Sequence, residues 1–203
     1  MGVWLATTSK AIPDLWTSSW REKSDDERAN DLERVWGWKL GSEKSREARS
    51  TEWVLAVLTD LNGRLTARDL VRFIETAAHG SIDEEPADAR LLAPAAMRRA
   101  VAATSEAKVK EYPSEVSVLH PIFERLARTP GVETPLDQQT AITAGLTDTD
   151  LSNLVKYGVF FEDNGQFEVP ELFRIGLGFA RKGARPNIIS LTRRALEKAK
   201  LSG

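Results

Sequence analysis

The chain has 203 residues, of which 41% are hydrophobic, and its 28 basic and 30 acidic side chains leave a formal net charge of −2. This composition excludes global disorder, and the absence of cysteine excludes disulfide scaffolds, zinc ribbons, iron–sulfur sites and thiol catalysis. No stretch approaches the roughly 18 uninterrupted apolar residues of a membrane span and no signal-peptide pattern is present, so we expect a cytoplasmic protein without a membrane partner.

The first 80 residues predict three helices. Ser24 followed by acids at 25–27 is typical of a helix start, because the serine can accept from a backbone N–H and the acids suit the positive helix end. Apolar residues follow at helical spacing, and we expect Gly41 to end this helix. A second helix is predicted from near Ser45 to the Asn62-Gly63 pair, where glycine allows a left-handed exit.

The third helix has the clearest pattern. Thr66–Asp69 is a capping-box pattern with Asp in place of Glu, and apolar side chains at helical spacing follow it. His79-Gly80 ends the helix. The polar, acidic segment Ser81–Asp88 then predicts a loop, and this loop is the expected boundary between two domains.

Beyond this loop the pattern predicts short helices. Pro94 opens a helix at a first-turn position. A second helix is expected over 105–112, where Pro113 ends it, and a third over 115–128.

The following segment predicts two more helices and a hairpin. A short helix over 136–144 precedes the cap Thr147–Asp150 of the next helix. Apolar stretches at 159–162 and 166–169 predict strands, and Asn164-Gly165 between them is the strongest short hairpin signal. Helix, helix, hairpin is the layout of a winged helix, so we expect a mainly α fold with one small β-hairpin.

The helix over 147–157 would be the recognition helix of this layout. The residues that we expect to point outward from it are Asp148, Asp150, Ser152, Asn153 and Lys156. Two acids and one lysine make a poor phosphate-binding face. We therefore predict a protein-interaction or regulatory module rather than a DNA reader.

The C-terminal segment is basic. Residues 171–203 hold eight Lys or Arg against two Asp or Glu, whereas the first 170 residues hold 20 basic and 28 acidic side chains. A final amphipathic helix over 187–201 either contacts an anionic partner such as nucleic acid or packs on the acidic body, and composition leaves both open. The candidate anion-binding residues are Arg181, Lys182, Arg185, Arg193, Arg194 and Lys198.

All six tryptophans lie in the first 53 residues. Some of them can belong to a core, but Trp4, Trp20 and Trp38 need not all fit inside one small domain. Because tryptophan is enriched at binding hot spots, these three are interface candidates that would face another domain or another subunit.

One family resemblance rests on helix and turn patterns. The run Asn62–Phe73 resembles the start of the lid helix in AAA and STAND-type P-loop ATPases. Residues 91–178 look like the C-terminal region of bacterial ParA/MinD-like or STAND-like ATPases, in which a winged-helix-like module follows the lid. The resemblance covers about residues 45–180. It implies a Trp-rich lid-like domain, a linker, a winged-helix-like domain and a basic helix, with the bounds 1–80, 81–90, 91–180 and 181–203.

The resemblance also implies a nucleotide-sensing arginine at the lid. Arg68 is the leading candidate, with Arg64 and Arg72 beside it, because the three are four residues apart and would share one face of a helix that began near Arg64. The alternative is a solvated helix face on which Arg72 pairs with Glu75.

The chain has no Gly-x-x-x-x-Gly-Lys-Ser/Thr motif, so no phosphate cradle can be assigned to it. We therefore expect no catalysis by the chain alone, no metal site and no cofactor, with ATP bound only if a P-loop ATPase core is supplied in cis or in trans. The expected function is a regulatory module that relays the state of such an ATPase. The alternative is an independent nucleic-acid-binding winged-helix protein that uses the basic C-terminal segment.

Overall fold

Helices dominate the computed structural model, which describes residues 22–41, 48–84, 90–129, 131–182 and 188–202. The helices of these residues are α1 (Asp25–Trp36), α2 (Ser50–Leu58), α3 (Ala67–Gly80), α4 (Pro94–Glu115), α5 (His120–Ala127), α6 (Gln138–Thr143), α7 (Asp148–Lys156), α8 (Glu171–Arg174) and α9 (Ile188–Ser202). A 3-10 turn at Ser117–Leu119 joins α4 to α5. The prediction of a mainly helical chain is confirmed.

The strands are short and form two small sheets. In chain order they are β1 (Glu133–Thr134), β2 (Leu136–Asp137), β3 (Phe161–Asp163), β4 (Gln166–Glu168) and β5 (Ala180–Arg181). β1 pairs with β5 in parallel, and the other three form an antiparallel sheet in the order β2-β4-β3. The described residues thus contain the predicted hairpin and three strands that sequence patterns did not indicate.

Local signals placed several of these elements correctly. Ser24 and Glu27 form a reciprocal capping box at the start of α1, and Thr147 and Asp150 form another at the start of α7. Asn164 and Gly165 both adopt positive φ angles, 51° and 76°. Two such residues in succession match the twist of the strands that they join, which explains the tight turn between β3 and β4.

The predicted helix bounds are wrong at three places in the first half. One is the end of α2, which stops at Leu58 because Thr59 is extended, and not at Asn62-Gly63. α1 ends at Trp36, because Gly37 takes a φ angle of 75° and its N–H caps the helix on Glu33. Gly41 therefore lies beyond the helix that it was expected to end. α2 begins at Ser50, after Lys39 and Arg49 form an isolated antiparallel bridge.

The predicted break before Pro113 is also wrong. α4 is one helix of 22 residues that contains Pro113 in its last turn. Proline removes one backbone donor and crowds the preceding turn. Here the ring is buried, and the neighbouring Tyr112 packs against Phe173 with ring centroids 5.2 Å apart, so tertiary packing offsets the loss.

The main core joins residues from both sides of the predicted linker at 81–90. Buried apolar side chains form one cluster that runs from Trp36 in α1 to Phe179, which precedes β5. Within this core, the most extensive contact between two helices is that of α3 with α4. The predicted boundary therefore does not coincide with a break in the core.

The C-terminal helix packs through a second, smaller cluster. Leu191 and Ala195 of α9 are buried against Leu61 and against Phe161 of β3. α9 also lies along α2, where Thr192 Oγ1 donates to the carbonyl of Ala56. No helix among the described residues is long and apolar enough to cross a membrane.

Candidate functional site

Helix α7 packs against the rest of the protein through its buried face. Leu151 and Leu154 enter the core, and Asp150 lies against α5, where Arg125 Nη2 is 2.6 Å from its Oδ2. Burial alone would raise the pKa of Asp150, but hydrogen bonds from Thr147 and Arg125 outweigh it, and the pKa is lowered. The prediction that Asp150 points outward is wrong, because this carboxylate is an internal anchor of the helix.

The β3–β4 hairpin lies beside α7. Phe167 of β4 lies opposite Glu162 of β3 and Leu136 of β2, so these three side chains share one face of the sheet. Phe167 and Leu136 are buried on that face, whereas Glu162, on the edge strand, is exposed. The sheet thus presents an apolar centre and an acidic edge.

A groove of about 460 Å³ lies between α7 and this sheet. The residues that line it are Gln138, Asp148, Leu151, Ser152, Val155, Lys156, Glu162 and Phe167. Five of them come from α7 with helical spacing, so the groove follows one side of that helix along its length. Its apolar surface comes from Leu151, Val155 and Phe167, and its charged groups are two acids and one lysine.

The polar groups of the groove are positioned by neighbours. Gln138 Nε2 donates to Asp148 Oδ1 at 2.7 Å, so α6 orients this carboxylate. Lys156 Nζ lies 5.4 Å from the ring centroid of Tyr157. On the hairpin, Lys198 Nζ donates to the backbone oxygen of Glu162 at 2.7 Å, and the Glu162 side chain remains exposed. Such a surface can bind a ligand that carries an apolar side chain next to a positively charged group.

The predicted nucleotide-sensing arginines face helix α4. Arg68 binds Glu115 and also lies 3.5 Å from Glu111, while Arg72 donates twice to Glu111, at 3.2 and 2.7 Å. The expected pairing of Arg72 with Glu75 is replaced by this contact between helices. The shared arginine face is thus a seam that binds α3 to α4.

Arg64 lies outside that seam. α3 begins at Ala67, so Arg64 is in the loop before the helix, and the expectation of a helix starting near it is wrong. Its backbone N–H donates to Asp60 Oδ1 at 2.8 Å, and Asn62 N donates to the same oxygen at 2.9 Å. Burial raises the pKa of Asp60 despite these bonds.

The buried ion pair beneath this seam was not predicted from the sequence. Lys108 Nζ of α4 donates to Asp69 Oδ2 of α3 at 2.9 Å, and their side chains are 8% and 2% exposed. Thr66 Oγ1 donates to the same carboxylate oxygen at 2.7 Å. Lys108 shares its helix face with the buried residues Val101, Thr104 and Tyr112, and a lysine at such a position is the signal that indicates a buried ionic partner.

The predicted anion-binding cations lie in different environments. Arg194 pairs with Asp163 of the hairpin, and Lys198 binds the Glu162 carbonyl and lies 5.4 Å from the Phe161 ring centroid, so both cations contact β3. The side chains of Lys182 and Arg193 are exposed. Arg185 lies outside the described residues.

Arg181 belongs to a buried charged cluster. Its side chain is 10% exposed, pairs with Glu171 and lies 3.7 Å from Glu168 Oε2, a contact too long for a hydrogen bond. Burial would raise the pKa of Glu171, but hydrogen bonds from Arg174 and Arg181 lower it. Burial raises the pKa of Glu168, whose attraction to Arg181 and Arg194 is the smaller effect.

Of the three tryptophans expected at an interface, Trp4 and Trp20 lie outside the described residues. Trp38 is 38% exposed, and the Arg49 guanidinium lies over its ring at 4.0 Å from the centroid. Trp36 is buried, and its indole N–H donates to Thr51 Oγ1 at 3.0 Å. Trp38 therefore offers part of an aromatic face beside a cation.

Within the described ranges, no three His, Asp or Glu side chains are grouped so as to hold a metal ion. The chain matches no protein-family model, no curated protein and no solved structure.

Proposed function

We propose that the chain is a non-catalytic, cytoplasmic regulatory module that binds a partner protein through a winged-helix-like region. Two features support the winged-helix assignment: the element order α5, β2, α6, α7, β3, β4, and the strand order β2-β4-β3. In a winged helix, α7 takes the place of the recognition helix and the β3–β4 hairpin that of the wing.

The observation that carries the proposal is the character of the surface between α7 and the hairpin. DNA readers place lysine and arginine against phosphates, and their affinity depends on those contacts. The groove has Lys156 as its single cation, against Asp148 and Glu162. An apolar floor with acidic flanks suits a protein segment better than a nucleic-acid backbone.

The partner that we propose is a P-loop ATPase core, in cis or in trans, because of the resemblance at Asn62–Phe73 and 91–178. In this assembly Arg68 would approach the nucleotide. Its side chain is 53% exposed beside Glu115, so a phosphate can reach it and compete with that carboxylate.

Site-specific photo-crosslinking tests the proposal. A photoreactive phenylalanine replaces Ser152, an exposed residue of the groove, and the modified protein is expressed in its source cells. The matched control carries the same group at Val71, which is exposed on α3. We expect a crosslink from position 152 and not from 71, to a polypeptide that contains Gly-x-x-x-x-Gly-Lys-Ser/Thr.

Two results would contradict the proposal. One is a crosslink of equal yield from both positions, since the groove would then have no special role. The other is a specific crosslink from position 152 to nucleic acid, which would move the function to the alternative of a nucleic-acid-binding protein. A specific protein partner that lacks the P-loop would remove the ATPase part alone.

A further inference from the structure

The groove beside α7 has a chemical character that limits its occupant. We infer that it binds a basic, linear segment of a partner protein, in which an aliphatic side chain inserts between flanking lysines or arginines. This inference rests on the proposed function, because it names the partner chemistry of the same surface. It requires three things of the groove: an apolar floor, accessible negative charge and a shape that follows a linear segment.

The first requirement, an apolar floor, is met by three side chains that line the groove. Leu151 and Phe167 are buried beneath the groove, and Val155, which also lines it, is half-buried. Ser152 is small and exposed, so it leaves the floor open to an incoming group. A branched aliphatic side chain fits this surface, since it would cover the remaining apolar area of Val155 and its neighbours.

The carboxylates supply the second requirement. Asp148 and Glu162 are both exposed, one at the first residue of α7 and the other on the edge strand. The opposing charges are Lys156, whose ammonium group lies 5.4 Å from the Tyr157 ring centroid, and Lys198, which binds the backbone oxygen of Glu162. Asp148 is already oriented by Gln138, so it attracts a cation at little cost in conformational freedom, and Glu162 adds a second exposed carboxylate.

The shape supplies the third requirement. Positions 148, 151, 152, 155 and 156 form one face of α7, which rises about 12 Å over these residues. That length corresponds to about four residues of extended chain or two turns of helix. The occupant is therefore a short segment with its cations on either side of the aliphatic residue.

A selection experiment tests this inference without knowledge of the natural partner. Phages that display random short peptides are selected on the intact protein, after depletion on a Ser152→Arg variant whose added side chain crosses the groove and repels cations. Thr149→Arg is the matched control, because Thr149 is exposed on α7 but is not among the lining residues. Selected peptides are then synthesised, and their binding is measured by fluorescence anisotropy.

We expect the selected peptides to share an aliphatic residue flanked by lysine or arginine. Their affinity should fall about tenfold with Glu162→Lys and with Ser152→Arg, and should change less than about twofold with Thr149→Arg. Glu75→Lys, the same charge change on the exposed face of α3, should also leave affinity unchanged. Unfolding curves of the variants verify that each one is folded.

Acidic or uncharged consensus peptides would overturn the inference, as would the recovery of no peptide that distinguishes the wild type from Ser152→Arg. Equal binding to Glu162→Lys would overturn it too. These failures are distinguishable from failure of the proposed function. A protein crosslink from position 152 together with acidic peptides would retain the protein-binding function and reject only the partner chemistry.

Discussion

At the scale of single residues, the Lys108–Asp69 pair is a buried ionic contact between α3 and α4. Both side chains are buried, and Thr66 donates a further hydrogen bond to the carboxylate. Loss of the lysine would leave a buried charge without its main partner. Such a change is strongly destabilising, whereas replacing both members of a pair is far less so.

We therefore predict that Lys108→Met lowers the free energy of unfolding by about 3 kcal/mol. Lys110→Met is the matched control, because Lys110 is exposed on the same helix, and it should change stability by less than about 0.5 kcal/mol. The double variant Lys108→Met/Asp69→Leu should recover part of the loss. Urea unfolding measures all three, and equal effects of the two lysine variants would contradict this account.

Glu171 and Glu168 contribute to pH dependence with opposite signs. The pKa of Glu171 is lowered from 4.5, so its ionised form stabilises the fold above that pH, and this contribution is lost as the pH falls through the folded-state pKa. The pKa of Glu168 is raised, so burial penalises its charged form at neutral pH. That penalty disappears when the pH falls below 4.5.

At neutral pH, Glu171→Gln should lower the free energy of unfolding by about 2 kcal/mol, because charged hydrogen bonds from Arg174 and Arg181 are weakened. The difference from the wild type should shrink as the pH falls below 4.5. Glu168→Gln should not lower stability at neutral pH. Chemical unfolding at a series of pH values tests the pair, and a larger loss for Glu168→Gln would refute the assignment.

At the scale of elements, α9 is attached by a small contact surface. Its buried apolar side chains, Leu191 and Ala195, pack with Leu61 and Phe161 in a cluster apart from the main core. The helix also contacts the main core through the half-buried Ile188, and Arg194 adds an ion pair with Asp163 of the hairpin. Elements with few buried apolar contacts open at lower free energy than the core. We expect the amides of α9 to exchange with solvent before those of α4.

Reversal of one charge should loosen α9 selectively. Arg194→Glu places two acids together, and we expect hydrogen exchange over 188–198 to become about fivefold faster while α4 is unchanged. Arg193→Glu makes the same charge change at the adjacent exposed position and should have a smaller effect. Exchange measured by mass spectrometry decides this, and equal acceleration by both variants would show that Asp163 does not hold the helix.

The starts of helices and the hairpin turn are the parts of the fold that the sequence predicts best. Ser24, Thr147 and the Asn164-Gly165 turn act on neighbours within three or four positions, so their signals are local. The prediction of a helix end at Pro113 is wrong because the cost of a proline is local, whereas the packing of the last turn of α4 on α8, which offsets it, is not. The prediction of helix at Leu136–Asp137 is wrong because the two-residue strand β2 depends on pairing with β4.

At the scale of the whole molecule, the candidate groove could not be predicted from the sequence. Asp150 was expected outside because helical spacing does not reveal Arg125, its partner on α5. Phe167 and Glu162 reach the groove only through the placement of the hairpin beside α7. The sequence nevertheless predicts part of the α7 surface, since Asp148, Ser152 and Lys156 are exposed as expected, whereas Asn153 is half-buried.

Contacts within the protein explain part of the uneven distribution of charge along the chain. The acidic body and the basic tail contact each other where Arg194 and Lys198 bind β3. These cations are therefore engaged within the molecule, although Lys182 and Arg193 remain exposed. Net charge separation alone does not require a nucleic-acid partner.

The most direct test of the protein-binding account is a fluorescence anisotropy titration of labelled duplex and single-stranded DNA, at low and at physiological salt. Lys156→Glu and Arg193→Glu variants are titrated in parallel, one for α7 and one for α9. We predict that the protein shows no saturable DNA binding that weakens steeply as the salt concentration rises. Tight, salt-sensitive binding by the wild type that is lost in either variant would contradict it and would assign the function to nucleic-acid recognition.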